Sequence, residues 1–279
     1  MLPILINFGF FKVYATGALW GLAVIISGIT ASRAAYRRGY HPLWMWDLVA
    51  YGFIGGLITG RVGYFITVPG SLSEGPMEIL KVWHGGMSLH WGVLGGVIVA
   101  YIHGRRNGIN FLHFADIWAP ALAIGLAVAR FGCLLGGHCY GIPCTGHCLF
   151  AITYPTESLP GGLPTPYPMD GLPRYPTQLY HVVANTIVYL ILLRMQLKPV
   201  APGRVFAGFF IFLSIGRFIV EFWRDDMVYT FWGLTVAQAA SIALIIIGIV
   251  LWIWFGRMAM RANQKACGSG SSYLSVCGK

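Results

Sequence analysis

From Val13 to Ser32 the chain runs without a charged side chain and then meets Arg33, Arg37 and Arg38. An α-helix gains about 1.5 Å per residue, so about 20 apolar residues cross a hydrocarbon core of about 30 Å. Runs of this kind recur along the sequence, each with basic residues at or near one end, and the alternation suited to a membrane barrel is absent. With 57% hydrophobic residues, 10% charged residues and a mean hydropathy of +0.68, the chain departs far from the quarter-charged composition of a soluble domain. The pattern predicts an all-α polytopic membrane protein with seven transmembrane helices. Spans one and two cover about Phe11–Ser32 and Asp47–Val68, span three ends at Arg105 and Arg106, and span four covers Phe114–Leu135. Span five starts at Tyr175, and spans six and seven cover Val205–Trp223 and Trp232–Phe255.

The Lys and Arg residues set the orientation. Arg33, Arg37, Arg38, Arg105, Arg106, Arg194, Lys198, Arg204, Arg257 and Arg261 fall on one side of this seven-span topology. The positive-inside rule makes that side cytoplasmic, with the N-terminus outside and the C-terminus cytoplasmic. Residues 1–10 carry no basic charge and no small-residue cleavage site follows, so a retained N-terminus is predicted. Residues 1–257 read as one integral membrane domain with a small external cap at about 136–177, and 258–279 as a loose cytoplasmic tail. The net charge of +10 then reflects topology and anionic lipid, with no nucleic-acid role.

Chemistry concentrates at Ala129–Gly141, ARFGCLLGGHCYG. An arginine near the end of a span is costly unless it faces protein, water or an anionic group, and glycine lets backbone approach a ligand closely. Arg130 follows Asp116 by the same interval as Arg61 follows Asp47. That interval, fourteen residues or about 21 Å along a helix, excludes an ion pair within either span. Arg61 either finds an anion elsewhere or snorkels to the outer surface. In span six, Arg217, Glu221 and Arg224 share one helical face, either as a self-satisfied pair or with an arginine left for an external anion.

Two histidines and five glycines interrupt Val82–Gly96, VWHGGMSLHWGVLGG. This composition predicts a broken or re-entrant approach to span three, tolerated where backbone is buried in protein or lines a wet cavity. His90, with Gly-Gly before it and Gly92 after it, is the candidate general base, with His84 nearer the surface. Tyr14 is either an interfacial anchor or a ligand. Cys133, Cys139, Cys144 and Cys148 lack the paired spacing of a metal site, and no metal or other cofactor is expected. A disulfide such as Cys139 with Cys144 suits an oxidising compartment, and Cys133 reads as a buried thiol.

GGMSLHWGVLGG, the Arg130-Phe-Gly-Cys to Tyr140-Gly141 stretch, YPTQLY, RFIVEFWRDD and GLTVAQ follow in an order that resembles the bacterial prolipoprotein diacylglyceryl transferases. The likeness covers nearly the whole chain. It implies a multi-pass enzyme of the bacterial cytoplasmic (inner) membrane with its active site on the outer side. It also implies transfer of the diacylglyceryl group of phosphatidylglycerol to the lipobox cysteine of a prolipoprotein, with release of glycerol phosphate. The prolipoprotein signal peptide and membrane lipid are the implied partners. The family's essential histidine falls on His90 and its arginines on Arg130 and Arg217, the catalytic candidates.

Arg61, Gly86, Ser88, Gly132, Gly141, Gln178, Tyr180, Glu221 and Arg224 form the candidate substrate-binding set. The chain departs from the family pattern at Cys133, His138 and His181, where Asn, Glu and Glu are usual. The essential tyrosine of the first span aligns with Thr16, two residues from Tyr14. The alternatives are a paralogue with another acceptor, a phospholipid transporter or flippase, and a membrane thiol-redox protein.

Overall fold

The computed structural model describes residues 4–7, 12–68, 77–78, 88–146, 150–155, 168–225 and 233–268. Seven helices account for most of them: α1 (Ala15–Arg37), α2 (Leu43–Thr67), α3 (Leu89–Arg106), α4 (Phe111–Gly136), α5 (Thr177–Gln196), α6 (Arg204–Glu221) and α7 (Val236–Gly268). Five of these, α1, α2, α4, α5 and α7, are long and apolar enough to cross a membrane. The remaining two, α3 and α6, have 18 residues each. The fold is therefore that of a helical membrane protein.

Two short antiparallel strand pairs modify the all-α expectation: β1 (Ile4–Asn7) with β2 (Lys12–Tyr14), and β3 (Ile152–Thr153) with β4 (Pro173–Arg174). The first pairs Ile4 with Tyr14, so Tyr14 ends a strand and α1 begins only at Ala15. At the other end of the chain, α7 passes the predicted limit at Phe255 and stays helical to Gly268.

The chain divides into two compact units, one of residues 28–114 and one of residues 1–27 with 115–279. In the smaller unit α2 lies against α3 through glycine. A Cβ on Gly56 would meet the Gly92 carbonyl oxygen at 3.3 Å, one on Gly92 would meet the Gly56 carbonyl at 3.3 Å, and Gly95 faces Thr59. Such small-residue contacts let helix backbones approach inside a membrane, where no hydrophobic force drives helices together. This corrects part of the interrupted segment expected over Val82–Gly96. The part up to Met87 lies outside the described residues, but from Leu89 onward the chain is continuous helix and its glycines make room for α2.

In the larger unit α1 packs on α4 in the same way. Ser27 Oγ donates to the Ala121 carbonyl at 2.9 Å beside Gly125, and Thr16 Oγ1 donates to the Gly132 carbonyl at 3.2 Å. A core of Ala119 and Ala123, Val188 and Leu192, and Val205 and Phe209 joins α4, α5 and α6.

Asp116 secures that arrangement. It lies inside α4 and caps a different helix: its carboxylate accepts from Gly203 N at 2.7 Å and Phe206 N at 2.8 Å, at the start of α6. An anion at a helix N-terminus satisfies otherwise orphaned amides and faces the positive end of the macrodipole. Pro120 interrupts α4 and removes the amide that would bond the Asp116 carbonyl. Gln196 Nε2 fills that vacancy at 2.8 Å. One short stretch of α4 thus fixes the end of α5 and the beginning of α6.

Candidate active site

Within the larger unit, polar side chains gather where α4 ends, α5 begins, α6 ends and α7 begins. The GLTVAQ segment organises one side. Thr235 is the N-cap residue of α7: its Oγ1 accepts from Gln238 N at 3.1 Å, and Gln238 Oε1 accepts from Thr235 N at 3.0 Å. This reciprocal capping box holds the Thr235 hydroxyl so that it donates to Glu221 Oε1 at 3.2 Å. The other oxygen of Glu221 lies 3.2 Å from Arg217 Nη2 and 3.6 Å from Arg224 Nη1. Only Arg217 and Glu221 share the expected face of α6; the helix ends at Glu221 and Arg224 lies beyond it, bridged to Gly141, yet the one buried carboxylate is still shared by two guanidinium groups.

Arg217 has a second neighbour, since its Nη1 lies 3.3 Å from Nε2 of His181, a buried residue of α5. For Nη1 to donate, His181 is the tautomer with its proton on Nδ1. The electric fields of Arg130 and Arg224 also reach this histidine. Arg130 is half-buried near the end of α4 and has no hydrogen bond or ion pair among the described residues. Three guanidinium groups and one carboxylate leave the cluster with an excess of positive charge.

Beyond Arg130 the helix end folds back on itself. Gly137, at φ +80°, terminates α4, and His138 N donates to the Cys133 carbonyl at 3.0 Å, the backbone closure of a Schellman turn. Cys139 then takes φ +56°, the left-handed region that side chains other than glycine rarely adopt. The start of α5 fixes this turn: Thr177 Oγ1 donates to the Cys139 carbonyl at 2.6 Å, and Gln178 Nε2 to the His138 carbonyl at 2.7 Å. Gln178 also bonds Tyr154 Oη at 2.9 Å, while its buried Oε1 has no partner among the described residues.

A plate of backbone and one arginine covers this end of the unit. Ile142 N donates to the Trp223 carbonyl at 3.0 Å, and a Cβ on Gly141 would meet the Tyr175 and Trp223 carbonyls. Arg174 donates to the Gly141 carbonyl at 3.1 Å, pairs with Asp225 and Asp170 at 2.5 Å each, and lies 5.2 Å from the centre of the Tyr140 ring. The hydrogen bond from Arg174 holds the Asp170 carboxyl below its ordinary range. Neither residue stood out in the sequence, because Arg174 reads there as one loop cation among prolines.

The other expected site residues are placed as follows. Tyr14 is exposed at the end of β2, whereas Thr16 is tied to α4. Gly132 is buried against Thr16 and Leu19 and serves helix packing. His138 is exposed, and Tyr180 sets its ring edge-on to Trp223. Cys133 and Cys139 are in no disulfide, and both are half-buried. Cys144 is in a disulfide whose other sulfur lies outside the described side chains. This corrects the suggested Cys139–Cys144 pairing. Among the described residues no cluster of His, Cys, Asp and Glu suits a metal ion.

In the smaller unit, Arg61 is buried; its Nη2 donates to the Glu78 carbonyl at 2.7 Å and its guanidinium lies 4.9 Å from the centre of the Phe65 ring. It does not snorkel. Ser88 precedes α3 and donates its amide to the Gly60 carbonyl at 2.9 Å, and His90 is exposed in the first turn of α3. Gly86 and His84 lie outside the described residues.

Residues 3–254 match the family model described as prolipoprotein diacylglyceryl transferase. A phosphatidylglycerol-prolipoprotein diacylglyceryl transferase of Halalkalibacterium halodurans is 31% identical over 94% of this chain and 89% of its own length. Enzymes of the same name from Methylococcus capsulatus and Legionella pneumophila are 32% and 33% identical, over 89% and 91% of this chain and 93% and 96% of theirs.

Proposed function

Because the chain belongs to the prolipoprotein diacylglyceryl transferase family, we propose that it transfers the diacylglyceryl group of phosphatidylglycerol to the lipobox cysteine of a prolipoprotein. The observation that carries this reading is the pair of guanidinium groups, Arg217 and Arg224, at the one carboxylate of Glu221, with Arg130 near enough for its charge to reach Arg217 and His181. The excess positive charge suits a lipid phosphate, and a guanidinium presents a planar fork to two phosphate oxygens.

The reaction forms one bond and breaks another. The acceptor thiol loses its proton to His90, the thiolate attacks the glyceryl carbon, and the carbon–oxygen bond to phosphate breaks. The electron pair goes to the phosphate oxygen, and glycerol phosphate departs. Arg130 is the anion-binding group of this scheme, since none of its donors is engaged by a described residue. Arg217 supplies a second guanidinium, oriented by His181 and Glu221. These charges act on the departing phosphate the more strongly the lower the dielectric around them. Gln178 contributes an unpartnered Oε1, which suits a donor hydroxyl such as those of the phosphatidylglycerol headgroup. His90 and Arg61 enter through their motif positions.

The reading includes seven spans in the bacterial inner membrane, the N-terminus and the arginine cluster toward the outer face, and a cytoplasmic C-terminus. The Lys and Arg asymmetry supports it. Reporter fusions after Arg38, Arg106 and Lys198 are expected to read cytoplasmic, and one near Gly162 external. The deciding experiment is complementation: this chain restores lipoprotein maturation in cells depleted of their own enzyme, and purified protein releases glycerol phosphate from phosphatidylglycerol only when a lipobox peptide is present. Release without a lipobox, or lipid movement without release, refutes the assignment.

A further inference from the structure

The end of α6 remote from Arg217 carries another arginine, one that the transfer reaction does not use. Arg204 opens α6, thirteen residues before Arg217, or roughly 20 Å along the helix. Gly256 of α7 makes room for it, since a Cβ there would meet Arg204 Nη2. The guanidinium lies 5.6 Å from the centre of the Trp252 ring, within cation–π range. Its buried Nε–H has no hydrogen-bond acceptor among the described residues, so the cost of taking that donor out of water is not offset there. The carboxylate of Asp116 at this turn is engaged with the amides of Gly203 and Phe206. Arg257, next to Gly256, adds an exposed cation at the same level.

Trp252 also belongs to a second feature. With Ile249 and Ile253 of α7 and Ile211 and Phe212 of α6, it lines a cavity of about 240 Å³. The two helices touch at glycine: a Cβ on Gly248 would meet the Ala207 carbonyl at 3.1 Å, and one on Gly208 would meet the Trp252 ring at 3.3 Å. Ile249 and Ile253 are exposed, on a helix long and apolar enough to cross a membrane, so the groove opens where lipid chains lie.

We propose that this groove holds one anionic phospholipid, with an acyl chain along Ile211, Ile249 and Ile253 and the phosphate at Arg204 and Arg257. Charge complementarity selects the occupant. Two cations and an unmatched Nε–H at one end of an apolar groove fit a molecule that is anionic at one end and hydrocarbon along the rest. An apolar helix of a second copy would fill the groove but bring no acceptor to Arg204. From Arg204 to Ile211 is seven residues, about 10 Å along α6, a length that one acyl chain spans. Trp252 meets both the guanidinium and the groove, the amphipathic role that suits tryptophan at a membrane interface.

The test uses the full chain in lipid nanodiscs and a phosphatidylglycerol whose acyl chain carries a diazirine, beside a phosphatidylcholine with the same chain. After illumination and digestion, mass spectrometry is expected to find the segments 211–212 and 249–253 labelled more strongly by the anionic probe. Arg204→Gln is expected to lower that label about fivefold, the effect of one basic residue near an anionic headgroup. Ile249→Trp fills the groove while leaving Arg204 in place and is expected to abolish the preference for the anionic probe. The thermal transition reports the folding of each variant, and Ile249→Trp, at an exposed position, decides the outcome where Arg204→Gln loses structure. Equal labelling by the two probes, or a preference unchanged in the folded variants, marks general lipid contact only and overturns the proposal. Dimers in native mass spectra with no label on either segment assign the groove to a second copy and also overturn it. The readout requires no transfer activity, so its failure leaves the transferase reading untouched.

Discussion

Arg217 Nη2 lies 3.2 Å from Glu221 Oε2, one helical turn away, yet the pair is not closed upon itself. The same carboxylate faces Arg224 and accepts from Thr235, and Arg217 also reaches His181. The arginine is therefore fixed in direction without being neutralised by a carboxylate of its own, as an anion site requires. Glu221→Gln keeps the shape and an oxygen for Thr235 but leaves two cations facing each other. Breaking a buried pair from one side typically costs about 3–5 kcal/mol. The thermal transition of the purified variant is expected to fall clearly. An unchanged transition shows that the carboxylate is not needed to hold the two arginines.

Thr235 is the joint between the start of α7 and this carboxylate. Thr235→Val keeps the side-chain volume while removing both the cap and the donor to Glu221. Loss of an N-cap alone costs about 0.5–2 kcal/mol. A stability loss in or above that range is expected in chemical or thermal unfolding. Gln238→Ala removes only the reciprocal half of the capping box and is expected to cost less.

The apolar helices were legible because each apolar run has basic residues at or near one end, as Arg33, Arg37 and Arg38 close the first. The pairing of Arg217 with Glu221 was legible for a related reason, since charge inside an apolar run is conspicuous. What Asp116 does was hidden: its partners Gly203 and Phe206 are remote in sequence, and an acid near a helix start looks like that helix's own cap. Gly92 and Gly95 misled because glycine marks a broken helix and a close helix contact equally well, and only the facing Gly56 and Thr59 distinguish the two. Thr235 and Gln238 carried a readable signal, a Thr-x-x-Gln step just before an apolar run. The link from that cap to Glu221 required the fold.

Arg130→Lys separates charge from shape. An ammonium keeps the charge but loses the planar fork, so transfer activity is expected to fall nearly as far as in Arg130→Ala. Since Arg130 has no ion pair or hydrogen bond among the described residues, the folded protein level is expected to stay near normal in both. If both variants are active in the transfer assay, Arg130 is not the phosphate ligand.

Acid is expected to loosen the plate over the cluster. The hydrogen bond from Arg174 depresses the Asp170 carboxyl below its unfolded value, so its contribution is present above that value and disappears as pH falls through the folded one. Protease cleavage of the 168–175 segment is expected to accelerate in this acidic window for the wild-type chain, and Asp170→Asn to show the faster cleavage already at neutral pH. Equal cleavage of the two at neutral pH counts against the clasp.

The last expectation concerns His90, which stands in the first turn of α3 with an exposed side chain. A base that takes the proton of an incoming thiol has to be reachable, and exposure meets that need where burial would not. His90→Asn keeps approximate size and a hydrogen-bonding group but cannot carry the proton. Turnover is expected to fall by about 10² to 10⁴, the range usual for removing a general base. Phospholipid binding is expected to survive, because the phosphate contacts are assigned to arginines. Mass-spectrometric quantification of retained phosphatidylglycerol, beside the transfer assay, separates the two effects. His84→Asn is the control and is expected to be mild. A fully active His90→Asn enzyme transfers the base assignment elsewhere, with the exposed imidazole of His138 next to be tested.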